Sequence, residues 1–265
     1  MAAERDLVEN SLGALTDDAV LGGRLALRQP ARGHRVGHDA ILLAAATAAK
    51  AGEVAVDLGA GVGAAGLALA VRVPGLSVRL IEIDGELAAL AADNAARNGL
   101  ASRVSAHALD VVGPAEAFAA AGLGSASADR VLMNPPFHDA AREQASPDAR
   151  RTLAYVAPPG ALGAWVKTAA RLLRAGGTLT LIHRADALSE VFDALTRDFG
   201  AIAVQPVHSK AGMPAIRILV RAVKNGRAPL ALVPALILNG DDGRPTAAAE
   251  AVLRTGTTLP LSELG

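Results

Sequence analysis

The chain has 265 residues, 51% of them hydrophobic, with 26 basic and 26 acidic side chains and no cysteine. That is enough apolar material for one sizeable core. Disulfides, thiolate metal sites and cysteine nucleophiles are excluded, and a net charge of zero carries no whole-chain sign of a polyanionic partner.

The polar, acidic start "MAAERDLVEN" does not have the form of a secretory signal. The longest apolar runs, such as "AILLAAATAA" at 40–49, are too short to span a bilayer. The expectation is a cytoplasmic protein with no membrane partner. Arg24, Arg28, Arg32 and Arg35 lie with His34 and His38 in a stretch that holds no acidic residue. This is either a phosphate-facing edge or an ordinary solvated strand or loop.

Apolar runs at 53–58, 77–82, 103–108, 129–133 and 178–183 read as strands, and alanine-rich runs at 64–73, 85–99 and 160–177 as helices. Gly99 and Gly176 stand where helix C-caps are expected. Such alternation predicts a parallel sheet covered by helices on both faces. A helix over 185–199 and strands over 201–207 and 215–223 follow. The last connection, roughly seven residues, is too short for a parallel crossover, so the final strand runs antiparallel. Residues 1–38 are read as an N-terminal extension, 39–223 as the main domain and 224–265 as a C-terminal tail or hairpin.

"VAVDLGAGVGAAG" at 54–66 carries the strongest local signal. A strand ends in Asp57, then Gly59, Gly61 and Gly63 lead into a helix, so a ligand can approach bare backbone. The loop alone does not separate a nicotinamide enzyme from a methyl-transferring one. Glu82 ends the second strand, about 25 residues on, where a carboxylate can accept from ribose hydroxyls. Asp84 reads as the next helix's N-cap. Asp110, beyond the third strand, either binds an adenine amino group or forms a turn before Gly113-Pro114.

The fourth strand runs into "NPPFHDA" at 134–140. The Asn134 carboxamide oxygen and the Pro135 carbonyl can accept both protons of an exocyclic amine. That localises electron density on the nitrogen and aims it at an electrophilic methyl group, chiefly through alignment and electrostatics. Pro135 and Pro136 fix the backbone, and Phe137 offers a ring for base stacking. The alternative is a plain strand-terminating turn.

These residues resemble the class I S-adenosylmethionine-dependent methyltransferases of the (Asp/Asn)-Pro-Pro-(Phe/Tyr) branch. The resemblance covers about residues 35–223 and implies an α/β Rossmann-like, seven-stranded, mostly parallel sheet, order 3-2-1-4-5-7-6 with strand 7 antiparallel, and S-adenosyl-L-methionine as cofactor. "LGGRLALRQPARGHRVGHDAILLAAA" (21–46), "NPPFHDA" and "PVHSKAGMPAIRILVRAVK" (206–224) are similar to the bacterial adenine-N6 methyltransferases of a valine tRNA. That family implies Gly37, Asp39 and Arg35 beside the cofactor pocket, and His38 departs from its small polar residue. Arg28, Arg35, Pro136, His138, Arg142 and Lys210 are the expected substrate contacts, with RNA, tRNA above all, as partner and no metal. "NPPFH" equally fits rRNA guanine-N2 methyltransferases, and a protein glutamine amide needs the same two acceptors. A nicotinamide oxidoreductase is the distant alternative, since Tyr155 has no lysine four residues on.

Overall fold

The structure is a computed structural model and describes residues 12–32, 36–136 and 160–264. Leu15–Val20 (β1) and Leu25–Pro30 (β2) form an antiparallel hairpin of their own, and His38–Ala46 (α1) follows. The central run is Val54–Leu58 (β3), Ala64–Arg72 (α2), Ser77–Glu82 (β4), Gly85–Arg97 (α3), Val104–Ala108 (β5), Ala115–Ala120 (α4) and Ala128–Met133 (β6). It continues through Ala161–Leu172 (α5), Leu173–Arg184 (β7), Leu188–Leu195 (α6), Phe199–Lys210 (β8) and Ala215–Lys224 (β9). The short strands Ala231–Leu232 (β10) and Leu236–Asn239 (β11) and the helix Ala247–Glu250 (α7) close the chain.

Seven of these strands lie in the order β5-β4-β3-β6-β7-β9-β8, with β9 antiparallel to both neighbours, as expected from the short connection before it. β10 and β11 add a further edge, each pairing parallel with β8. Helices cover both faces because the parallel strands are apolar on both sides. Leu42, Leu43, Leu67, Leu80 and Leu132 share one core, and Val56, Leu58, Phe118, Val131 and Val166 the other.

Local caps follow the sequence in part. Asp84 accepts from the Glu86 and Leu87 N–H groups and starts α3. At the other end Gly99 donates to the Ala96 carbonyl and Leu100 to the Ala95 carbonyl, the paired bonds of a Schellman motif around a left-handed glycine at φ 68°. Gly176 behaves otherwise. α5 ends at Leu172, and Leu173 is already extended and pairs with Ala128. Gly176 and Gly177 sit in the register shift that follows, where a Cβ on Gly177 would meet the Arg174 and Asp129 carbonyls at 3.0 Å. The expected cap is a tight irregularity at the start of β7, because burial of Leu173 against β6 outweighs continuing the helix. The helix expected at 185–199 is likewise shorter, and Phe199 opens β8.

Two asparagines one helical turn apart dock the hairpin on α3. Asn94 takes the Arg28 N–H (2.7 Å) and donates to the Arg28 carbonyl (2.9 Å), and Asn98 does the same with Ala26 (2.9 and 2.7 Å). The two carboxamides thus supply β2 with a substitute for a neighbouring strand. Asn94 is fully buried and also donates to the Val62 carbonyl at 3.0 Å, so one side chain ties hairpin, helix and glycine loop. Asn94→Ala strands these groups in the interior and is expected to cost about 2–3 kcal/mol, whereas Asn98→Ala costs about 1 kcal/mol. Urea unfolding of the two variants, with hydrogen exchange over 25–30, checks the difference.

Candidate active site

Parallel strands deliver their last residues to one edge of the sheet, and the strand order reverses between β3 and β6 at that edge. The glycine loop leaves β3 there. Gly59 has φ 70°, and a Cβ on it would lie 2.4 Å from the ring of Trp165 on α5, so no other residue fits. Gly61 is also left-handed, at φ 55°, but open space lies above it, which leaves its backbone accessible to a ligand. Gly63 is the N-cap of α2.

Asp57 is buried at 2% exposure, and its Oδ2 accepts the Gly66 N–H at 2.8 Å. Burial pushes its carboxyl from 3.8 up to about 7, against the lowering effect of the Gly66 bond and with a further push from the Glu82 charge. Glu82 ends β4 and accepts from Gly61 N–H (2.8 Å) through Oε2 and from Asp84 N–H (3.1 Å) through Oε1. Each oxygen retains a second lone pair for a hydroxyl. Asp110 forms the turn: its Oδ1 takes the Val112 N–H at 2.9 Å, while the residue itself is exposed.

Asn134 follows β6, whose Met133 pairs with Leu58, so Asn134 and Gly59 come next in register. Its Oδ1 is buried and has no hydrogen-bond partner among the described residues. The local sequence explains why. An Asp or Asn side-chain oxygen in the turn after a strand often takes the backbone N–H two residues on. Asp84 does so with Glu86 (2.9 Å), Asp110 with Val112 (2.9 Å) and Asp242 with Arg244 (3.0 Å). After Asn134 both of the next two residues are proline, which has no N–H. The acceptor is therefore held without its usual internal donor.

Other expected residues are distributed as follows. Gly37 caps α1, and Asp39 in the first turn of that helix accepts from Arg217 Nε of β9 at 2.9 Å. Lys210 is exposed at the end of β8, and its carbonyl accepts the Met213 N–H in the turn to β9. Arg28, read as a substrate contact, is held on the α3 side by Asp17 (3.4 Å) and Asp93 (3.7 Å). Arg24 donates to the Thr255 carbonyl at 2.6 Å. Acidic residues from outside the 24–38 stretch thus pair with it, which its own composition does not reveal. Arg35, Phe137, His138 and Arg142 lie outside the described residues.

Sequence reasoning passed over four residues. Gly66 lets α2 touch the sheet, since a Cβ there would meet Leu80 at 2.4 Å and the Asp57 carboxylate at 3.1 Å. Trp165 backs Gly59. Ile83 (65% exposed) and Val112 (52% exposed) stand beside Glu82 and Asp110, two large apolar side chains in water where a flat ring would shield them. Bare glycine backbone, an acceptor pair on Glu82, flanking apolar groups and an orphaned acceptor on Asn134 fit a nucleoside-bearing methyl donor and an amine acceptor.

The tRNA1(Val) (adenine(37)-N6)-methyltransferase of Porphyromonas gingivalis W83 is 32% identical over 161 residues, 59% of this chain and 61% of the relative. The protein of the same name from Bacteroides fragilis YCH46 is 30% identical over 188 residues, 70% of this chain and 76% of that one. The chain thus spans 61% of the length of the first relative. Among solved structures, a predicted O-methyltransferase from Agrobacterium tumefaciens superposes with TM-score 0.69 at 29% identity, over 83% of this chain and 98% of that chain. A T. thermophilus 16S rRNA N2 G1207 methyltransferase, solved with AdoMet and guanosine, shares the fold at TM-score 0.54 and 22% identity, over 80% of this chain and 50% of that chain. Because residues 35–211, more than half of the sequence, match the family described as methyltransferase small domain, the chain belongs to that family of S-adenosyl-L-methionine-dependent methyltransferases.

Proposed function

We propose that the chain methylates an exocyclic base amine in RNA, adenine N6 of a tRNA, in the cytoplasm. The observation that carries this reading is the Asn134 oxygen, buried, without a partner among the described residues and next in register to the glycine loop. The names of the curated relatives support adenine in tRNA as the acceptor. The guanine-N2 alternative has the rRNA methyltransferase's fold and "NPPFH" in its favour. No helix among the described residues is long and apolar enough to cross a membrane.

The donor supplies an electrophilic methyl group on a sulfonium. Glu82 would hold its ribose hydroxyls, and Ile83 and Val112 would cover its adenine, with Asp110 at the rim. The Gly59–Gly63 backbone, with Asp57 beneath, would receive its amino-acid end, and Gly37 and Asp39 would border the same cleft. At the acceptor, Asn134 Oδ1 and the Pro135 carbonyl would each accept a hydrogen bond from one amine N–H, which would turn the nitrogen lone pair out of conjugation and toward the methyl group. The spare proton leaves the product ammonium for solvent, so a strong base is not needed. The target base leaves its own stack to reach this edge. Phe137 and Pro136 would provide its apolar contact, and Lys210, Arg35, Arg142 and His138 would face the RNA backbone.

Tritiated-methyl transfer to total tRNA, rRNA or protein from a strain lacking the gene tests the reading: tRNA is expected to take the label at adenine N6, and label on rRNA or protein alone would replace the acceptor. Asn134→Ala should lower kcat about 10²–10³-fold while S-adenosylhomocysteine affinity, measured by calorimetry, stays unchanged. Pro136→Ala restores an N–H two residues beyond Asn134. Capture of the carboxamide in an Asx turn should then lower kcat about tenfold, again without loss of donor affinity, and the restored N–H should become protected from exchange.

Asp57 gives a pH signature. Its folded pKa is raised, so without donor its contribution to stability falls as pH rises from 3.8 to about 7. A cationic donor favours the ionised form, so affinity should rise between roughly pH 6 and 7.5. Asp57→Asn should flatten both profiles, read by thermal unfolding and by calorimetry.

A further inference from the structure

Away from the catalytic edge, one face of the sheet holds a cation without a counter-charge among the described residues. Arg221 of β9 is 7% exposed. It lies directly opposite Thr180 of β7 on one side and Ala203 of β8 on the other. Directly opposed residues in antiparallel strands place their Cβ atoms about 4.5–5.5 Å apart on the same face. Gln205, two residues beyond Ala203, is on that face as well.

All three side chains carry buried polar atoms with no partner among the described residues: Arg221 Nε, Thr180 Oγ1 and Gln205 Oε1. Gln205 Nε2 is fixed on the Pro234 carbonyl at 3.0 Å, which leaves its oxygen pointing the other way. The charged neighbour that acts on Arg221 is another arginine, Arg130, so burial and like charge both disfavour its cation. Arg130 itself is compensated: it makes two bonds to Glu53, at 2.7 and 2.9 Å, and one to Thr178 at 3.1 Å. No carboxylate does the same for Arg221 among the described residues. Burying part of a cation with no counter-charge carries a desolvation cost that an anion at its unpartnered Nε would offset.

We propose that Arg221 and Thr180 form an internal site for a small monovalent anion, with chloride the simplest ion of that charge and size for a guanidinium Nε that is buried and unpartnered among the described residues. The anion accepts from Arg221 Nε–H and the Thr180 hydroxyl, and a water of its hydration shell donates to Gln205 Oε1. One guanidinium matches one negative charge, and Arg221 is 7% exposed, which favours a small ion over a nucleotide. The site is structural. It joins β7, β9 and β8, away from the glycine loop in the sheet order, and it does not rest on the methyl-transfer reading.

The probe is sodium chloride itself, compared with sodium acetate at equal ionic strength, on the full chain. Above the dissociation constant, each tenfold rise in free chloride is expected to raise the folding constant tenfold, about 1.4 kcal/mol. Arg221→Met, similar in length and uncharged, should fold with no chloride dependence beyond a common salt effect. Thr180→Val keeps the charge and should weaken chloride binding several-fold. Broadening of the chloride-35 resonance by the wild type, absent with Arg221→Met or reduced with Thr180→Val, is the independent readout should one variant fold poorly. Equal stability in the two salts, or chloride dependence and line broadening undiminished in the variants, would overturn the site.

Discussion

The structure depends on how closely α2 approaches the sheet beneath the glycine loop. Gly66 has no side chain because Leu80 and the Asp57 carboxylate occupy the space one would need, and its N–H is the donor that Asp57 requires. A buried carboxylate with a single backbone donor is poorly compensated, and its raised pKa is the consequence. The loop above it is therefore held from beneath by a group that a nearby positive charge stabilises. From the other side Glu82 fixes Gly61, and Trp165 fixes Gly59, so the loop is set before any ligand arrives.

Much of this frame was legible in the sequence because buried parallel strands write themselves as uninterrupted apolar runs, and the residue that ends such a run has a defined address. Asp57, Glu82 and Asn134 were readable as edge residues for that reason. Partners across the fold were not. Trp165 lies more than a hundred residues from Gly59, and nothing in the spacing of α5 announces its target. Asn94 and Asn98 look like ordinary polar positions on an exposed helix, yet one is fully buried and both act as a strand edge for β2. The arginines of 24–38 read as a basic stretch because Asp17 and Asp93, which neutralise Arg28, come from outside it. Gly176 shows the limit of local cap rules: a glycine after a helix-like run caps it only where burial does not call for an extended chain sooner.

The sheet is chemically divided. Its β5-β4-β3-β6 half ends in carboxylates and a carboxamide, all tied to backbone or left open at one edge. Its β7-β9-β8 half carries cations at the same edge, with Arg184 and Arg217 directly opposite each other. Like charges in that position repel, and Asp186 and Asp39 supply the compensation, Asp39 from the first turn of α1. The Asp39–Arg217 pair thus fastens α1 across the second half of the sheet.

The proline pair explains why a carboxamide stands beside the loop without being consumed by its own backbone. Elsewhere in this chain an Asp at a comparable position closes a turn on the N–H two residues later. That bond is local, costs little ordering and forms whenever a donor is present. At 134 the donor is deleted twice over, and the first N–H in line belongs to Phe137. The desolvation cost of the bare oxygen, about 1–3 kcal/mol, is then carried by the folded protein until an external N–H replaces the missing one. An amine with two protons can do so at Asn134 and at the adjoining Pro135 carbonyl together. The same two prolines that end the strand therefore keep the side chain that follows it available to a donor from outside its own backbone.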